Sequence, residues 1–426
     1  MQKELLRLSA ANEGDLCSGF RLVKKEYVSS KHADLYTMRH EKTKAELLYF
    51  ARADENKTFA IAFKTLPEDD TGVFHILEHS VLNGSRRFPV REPFVNLLQS
   101  SMQTFLNAMT YPDKTVYPVC SRNDKDFHNL MEVYLDAVFC PAIYEKPQIF
   151  MQEGWHYEFD SEDAEPYYNG VVYSEMKGAF SDVSELMETE SMRLLFPDSS
   201  YGFVSGGHPE SIPKLTYEQF IANHKRYYHP SNARIFLDGK MDIDEILRYI
   251  DGEYLSKYDY RAPDFDFTVQ KQVVGEKTVS YSVKPGEEAK AHMVFSKLLC
   301  AHDEPEKVLA ANVLAKYLTG SNEAPLKRTF LEQALCQDIS LQVNDGIFQP
   351  YITLTIRNTE QEKFAQVEDC LRSSVQDILS GGLDREALLA ELERMAFTSR
   401  EIEEPYGLIL GLTALDGWLY GDDPLT

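Results

Sequence analysis

Between residues 18 and 66 the apolar positions fall into four short β-favouring runs, at Phe20–Val28, 34–38, 45–52 and 58–63. Charged turns separate them, and the alternation is loose but rich in β-branched and aromatic residues. The period then changes: residues 71–82 read as one largely apolar helical stretch, and Asn83-Gly84-Ser85 ends the run, with Gly84 suited to a left-handed cap. A second short helix is predicted over 93–101, with Pro93 in its first turn. Residues 104–110 and 115–120 read as strands joined by the turn Tyr111-Pro112-Asp113-Lys114. A helix follows over 124–139, and Pro141 and Pro147 punctuate the next stretch. A short strand is expected at 155–159 and helices at 171–180 and 182–195, before a Gly/Pro/Ser-rich loop over 196–213. A helix (216–228), a strand (233–237) and a helix (242–254) complete this part.

Residues 256–276 are polar, contain Pro263 and show no strong period, which marks a linker. Beyond it strands are predicted at 277–283 and 292–299, helices at 305–318 and 325–334, and strands at 339–343 and 350–357. Helices at 360–379, 384–402 and 405–420 close the chain. The order strands, helix, helix, strand pair, helices occurs twice and suggests a distant duplication. The expected fold class is α+β, with two tandem homologous domains, each a mainly antiparallel sheet packed with helices. Their bounds are 1–258, a linker 259–275, and 276–426.

Composition narrows the function. The chain has 426 residues, 43% hydrophobic and 26% charged, and a net charge of −24. That balance argues against a nucleic-acid partner, which needs a basic footprint, and favours cationic or neutral ones. Six cysteines lie far apart with no C-x-x-C pair, so no thiolate zinc knuckle is expected. A reduced, cytoplasmic setting is the expectation. Residues 1–7 do not read as a signal peptide, and no apolar run of about 18 residues predicts a membrane span.

The chemistry concentrates in the helical stretch over 71–82. His75 and His79 are four residues apart and share one helical face, and Glu78 borders it. H-x-x-E-H is the inverted zincin pattern: two imidazoles grip one metal and the carboxylate takes a proton from water. Two surface histidines on an ordinary amphipathic helix would give the same letters. The apolar neighbours Phe74, Ile76, Leu77, Val81 and Leu82 instead predict burial, where two His and a Glu need partners. A catalytic zinc usually takes three protein ligands and leaves one place for water. Spacing leaves the third open among the cysteines, Glu153, Glu158 and Glu175, the last in a mostly apolar helical stretch. His156, beside Trp155, reads as part of an aromatic cluster, and His208, His224 and His229 as structural.

These segments resemble the pitrilysin/insulinase family of zinc peptidases, in its presequence-protease and falcilysin branch. The matching stretches are HILEHSVLNGS (75–85), EPF (92–94), TFLNAMTYPDKTVYPV (104–119), EGWHYE (153–158) and GVVYSEMKGAF (170–180). SIPKLTYEQF and YYHPSNARIFLDG (within 211–239) agree, and VLAKYLTGSNEAPLKRTF (313–330) does so more weakly. The resemblance implies one zinc ion per chain held by His75, His79 and Glu175, with Glu78 as general base. It implies domains of the pitrilysin and mitochondrial-processing-peptidase type, the second a copy without metal. It also places the strand near Phe105 to Ala108 beside the metal, with Asn107 and Ala108 as backbone contacts for an extended, unfolded peptide.

Members of this branch have four similar domains in two halves that close over a chamber. The expectation is therefore that this chain is the N-terminal half of a longer protein, cut within its second domain near residues 421–426. The alternative is a two-domain subunit that pairs with a second chain. In relatives the other half supplies an Arg and a Tyr to the substrate carbonyl, so weak activity alone is expected. Two competitors remain. S-ribosylhomocysteine lyase shares H-x-x-E-H but is much smaller and uses a Cys ligand. A non-catalytic or half-site subunit would not need to keep all four residues.

Overall fold

The computed structural model describes residues 6–90, 93–283, 286, 288, 290–401 and 403–425. Glu92 of the EPF match and Ile402, the expected end of a helix, lie outside the described residues. The chain parts into two compact units. One comprises Met1–Asp182, Phe203–Phe267 and Glu403–Ala414; the other Val183–Gly202, Thr268–Ile402 and Leu415–Thr426.

In chain order the first unit holds strands β1 (Leu16–Cys17), β2 (Phe20–Val28), β3 (Ala33–His40), β4 (Glu46–Ala51), β5 (Lys57–Lys64), β6 (Gln103–Leu106), β7 (Met109–Thr110), β8 (Lys114–Ser121), β9 (His156–Glu158), β10 (Tyr167–Asn169) and β11 (Ala233–Asp238). The helices along the chain are α1 (Val73–Val81), α2 (Pro93–Ser100), α3 (Asp124–Phe139), α4 (Pro147–Glu153), α5 (Val171–Ala179), α6 (Val183–Leu195), α7 (Tyr217–Tyr227) and α8 (Ile243–Glu253). They continue with α9 (Pro305–Thr319), α10 (Pro325–Glu332), α11 (Phe364–Gly381), α12 (Arg385–Thr398) and α13 (Tyr406–Trp418).

Nine strands of the first unit form one sheet, ordered β1-β2-β3-β4-β11-β5-β8-β6, with β7 on β8. Only β11 against β4 is parallel; the other pairs are antiparallel. Central β5 is buried on both faces. Phe59, Ile61 and Phe63 enter the core shared with Phe74, Ile76 and Leu77 of α1 and with Leu130 and Tyr134 of α3. The start of α13 comes close against the strands: a Cβ on Gly411 would stand 2.8 Å from the Phe236 ring, so only glycine allows that approach.

Three differences from the sequence reading bear on the site. The strand expected over 104–110 breaks at Asn107 and Ala108 into β6 and β7, although Leu106 opposite Val119 and Met109 opposite Val116 keep one register; Asn107 N–H bonds Pro118 O, and Pro118 has no N–H to return to the ladder. Helix α4 was not expected; Pro147 opens it at the first turn, the position where a missing N–H costs nothing. Residues 183–202, assigned by sequence to the first domain, group with the second unit. There Arg357 bonds Ser184 Oγ at 3.0 Å and Phe196 packs edge-on against Tyr351.

The second unit is built on an antiparallel sheet of β12 (Ala291–Leu298), β13 (Asp338–Asn344) and β14 (Tyr351–Thr359), ordered β12-β14-β13. Leu326 and Phe330 of α10 and Val367 and Cys370 of α11 pack on Ile339, Leu354 and Ile356. The strand expected over 277–283 is absent. Its residues form no ladder among those described; Tyr281 bonds Lys290 O through its hydroxyl and sets its ring 5.6 Å from that of His292. All six thiols are free, with Cys17, Cys120 and Cys370 buried. Among the described residues no helix is long and apolar enough to cross a membrane.

Candidate active site

Helix α1 starts at Gly72, whose φ of +67° is left-handed. A Cβ there would stand 2.6 Å from Gly206 O and Gly207 Cα, so glycine is needed both for the backbone and for the close approach of that loop. Seven of the nine helix residues are buried, Glu78 among them. His75 and His79 leave on one side, their rings 4.9 Å apart and near perpendicular.

Each imidazole is oriented by its other nitrogen. His75 Nδ1 lies 3.0 Å from Gly206 O, so Nδ1–H donates and Nε2 keeps its lone pair. His79 Nδ1 lies 3.4 Å from Glu153 Oε2, the same device with a carboxylate. Glu153 sits at the end of α4, 5% exposed, and its other oxygen accepts from Gln152 Nε2. Glu175, on α5, brings Oε2 to 3.6 Å from His75 Nε2 and 3.8 Å from His79 Nε2.

These three side chains each offer one atom within 4.8 Å of the others. Two ligands of a tetrahedral zinc stand roughly 3.3 Å apart, so both Nε2-to-carboxylate gaps are close to what one ion requires. The donor set, two nitrogens and a carboxylate oxygen, is one that catalytic zinc takes. Electrostatics point the same way. Burial opposes charge on the His79 ring, but the bond to Glu153 and the charges of Glu78, Glu153 and Glu175 outweigh it and raise its pKa. A site with that surplus of negative charge favours a cation.

Glu78 faces inward beside this cluster. Thr110 Oγ1, on β7, donates to its Oε2 at 2.8 Å, leaving Oε1 for another proton. Burial drives the Tyr117 and Tyr134 hydroxyls far above their usual range, and the Glu78 charge adds to it. The carboxylate thus borders a dry wall of phenols on one side and the two imidazoles on the other.

Of the residues singled out by sequence, His75, His79, Glu175 and Glu78 are brought together. The burial argument for Glu175 fails: α5 buries only Val172 and Met176, and the Glu175 side chain is 54% exposed. Glu158 is engaged by Asn169, away from the imidazoles. Glu153, left open by spacing as one of the candidate acids, stands behind His79 and orients its ring through Nδ1. His156 bonds Met151 O; His208 packs on Phe180, and His224 on Tyr144 and Tyr228.

Asn107 differs from its expected role. Its N–H points into the sheet toward Pro118 O and its carbonyl accepts from Tyr134 OH at 3.0 Å, so its backbone is engaged. The Ala108 backbone has no hydrogen-bond partner among the described residues, and β6 is the last strand of the sheet.

Comparison with known proteins places this arrangement. The family model "Insulinase (Peptidase family M16)" matches residues 66–177, which hold every residue of the cluster. A second model, "Peptidase M16 inactive domain", matches residues 214–395. Protein HypA of Clostridium perfringens is 43% identical over 419 residues, covering 97% of this chain and 43% of its own length. Presequence protease 1, chloroplastic/mitochondrial, of Arabidopsis thaliana is 37% identical over 417 residues, covering 95% of this chain and 38% of its own. The mitochondrial presequence protease of Danio rerio is 34% identical over 398 residues (91% and 39%). The chain thus spans about two fifths of the length of these curated relatives.

Among solved structures, pitrilysin superposes with a TM-score of 0.65 at 15% identity, over 95% of this chain and 44% of its own. A protease from Helicobacter pylori gives 0.68 at 13% identity, over 91% and 89%. These share the α+β fold. Taken with relatives aligned along almost its whole length, they show that the chain belongs to peptidase family M16, with a pitrilysin-type fold and a sequence like that of the presequence proteases.

Proposed function

We propose that this chain is the metal-binding half of a zinc endopeptidase that cuts short, unstructured peptides inside a closed chamber. The observation that carries the reading is the convergence of His75, His79 and Glu175, with the Glu78 carboxylate beside them. His75, His79 and Glu175 would hold the ion. Zinc held there supplies Lewis acidity and lowers the pKa of water.

The chain's own groups do the rest. Glu78 accepts the proton of the attacking water and returns it to the leaving amine. Thr110 fixes one oxygen of Glu78 and so aims the other. Gly206 O and Glu153 hold the two imidazoles in the tautomer that presents Nε2. An extended peptide adds to the free edge beyond β6, using the Ala108 backbone; Asn107 contributes its exposed side chain at most. The relatives' greater length supports a closing half supplied by the same protein or by a partner subunit, without which turnover is slow. Six free thiols suit a reducing, cytoplasmic compartment.

The test is Glu78→Gln. Peptide turnover should fall about 10²–10⁴-fold while zinc content and thermal stability are unchanged. Full turnover by the zinc-loaded variant refutes the assignment. If the purified chain binds no zinc, the alternative of a non-catalytic subunit that pairs with a second chain takes its place.

A further inference from the structure

Strands β9 and β10 form a separate two-stranded ribbon. Its register sets Tyr157 opposite Tyr168 on one face, with ring centroids 5.1 Å apart. Trp155 meets both edge-on, at 5.8 and 5.7 Å, and Tyr173 lies 5.9 Å from Tyr168 at the far end of the row. The indole N–H of Trp155 donates to Leu215 O at 3.0 Å, and Trp155 and Tyr173 pack against the core. Tyr157 and Tyr168 do not: they are 55% and 39% exposed. An anchored row of aromatics with its middle open to water is a surface built for contact rather than for core.

Both ends of the ribbon are rooted in the candidate site. Glu153, which orients His79, lies two residues before Trp155, and Glu175 lies two residues after Tyr173. The Tyr173 N–H bonds back to Gly154 O. A Cβ on Gly170 would stand 2.2 Å from the same carbonyl, so the two roots are pressed together.

The charge around the exposed pair is mostly negative, and a cation already stands on the far end of the row, Lys177 Nζ lying 6.0 Å from the centre of the Tyr173 ring. Residues 147–176 contain seven carboxylates and no Lys or Arg. Asp160, Glu162, Asp163 and Glu165, on the loop joining the strands, are all exposed. Aromatic faces attract cations through their quadrupole, and a rim of carboxylates raises the local concentration of cationic side chains. A planar guanidinium also stacks on such rings.

We propose that the Tyr157–Tyr168 face is a subsite for an arginine or lysine side chain of a peptide lying across the neighbouring metal site. The identity of the ligand as a substrate rests on the peptidase reading; the binding does not. Selection for a cationic residue would then be made by the ribbon, beside the metal cluster rather than within it.

The test uses the full chain carrying Glu78→Gln, so that binding is scored without turnover. Fluorescence anisotropy compares an extended peptide containing one arginine with its twin containing citrulline, which keeps the shape and loses the charge. The arginine peptide should bind about tenfold more tightly. Tyr157→Ala with Tyr168→Ala should erase that preference, and the corresponding Phe pair should keep it. Equal affinity for the two peptides, or a preference that survives the Ala pair, overturns the proposal. If the Ala pair fails to fold, neutralising Asp160, Glu162, Asp163 and Glu165 gives a second measure. The arginine preference should then shrink at low salt, and an unchanged preference counts against the subsite. If the parent chain binds no zinc, the peptidase reading fails while the binding result stands. Cutting that ignores the arginine-to-citrulline change sinks the subsite alone.

Discussion

Helices α1 and α5 bring their ligands to the same point by opposite means. Helix α1 is nearly all core: seven of its nine residues are buried and its imidazoles are 12% and 25% exposed. Helix α5 buries two residues and offers its carboxylate 54% exposed. The buried helix fixes direction, because packing holds the backbone and each ring has a second partner. The exposed helix supplies charge from the solvent side, where room remains for a peptide. Rigidity and access are thus divided between two elements.

Substitutions can sharpen that contrast. The largest effect is expected for His75→Ala, which should abolish zinc binding and peptide turnover, read by metal analysis and a cleavage assay. Glu175→Gln should also weaken zinc binding strongly, yet leave the unfolding free energy from urea titration within about 0.5 kcal/mol of the parent, since its helix contributes little core. Equal destabilisation by both changes would erase the distinction between the helices.

Glu153→Gln keeps the shape but removes the charge that orients His79. Zinc affinity should fall about 10–100-fold, measured by chelator competition. Gly72→Ala strains the start of α1 against Gly206 and Gly207 and should cost about 2 kcal/mol of folding stability. Its effect on zinc should follow through His75, the ring that Gly206 holds.

The smallest effect concerns acid. His224, on α7 behind α1, is buried; burial lowers its pKa to about 3, with the bond to Val138 O acting against this. The folded state therefore keeps the ring neutral while the unfolded chain takes a proton below about pH 6.5. Its contribution is full above that value and is lost as pH falls toward 3. Between pH 6.5 and 5.5 the folding free energy should drop by about 1 kcal/mol, and His224→Gln should flatten that slope.

Local chemistry was legible in the sequence. His75, Glu78 and His79 lie within five residues, so helical geometry alone sets their faces. The central strands were legible because apolar runs such as Lys57–Lys64 have few other uses. Glu175 was reached through family likeness, and the burial argument for it pointed to the wrong cause. Glu153 was legible only as one of several candidate acids: its partner His79 is 74 positions away, and Pro147, which opens the helix that carries it, was read only as a break. Asn107 was misjudged because its backbone is taken up by Pro118 O across the sheet and by the hydroxyl of Tyr134, 27 positions on. The pattern over 277–283 suits a strand, but a strand also needs an edge to join, and alternation says nothing of that.

The contact between His75 and Gly206 spans 131 positions of chain. During synthesis the two histidines leave the ribosome long before the carbonyl that fixes the first of them. A growing polypeptide therefore displays a loose chelating pair well before it has a defined site. Metal captured at that stage would be held weakly and exchanged freely. Tight loading would mark the docking of the loop around residue 206, a step separate from completion of the sheet, whose β11 lies further along the chain.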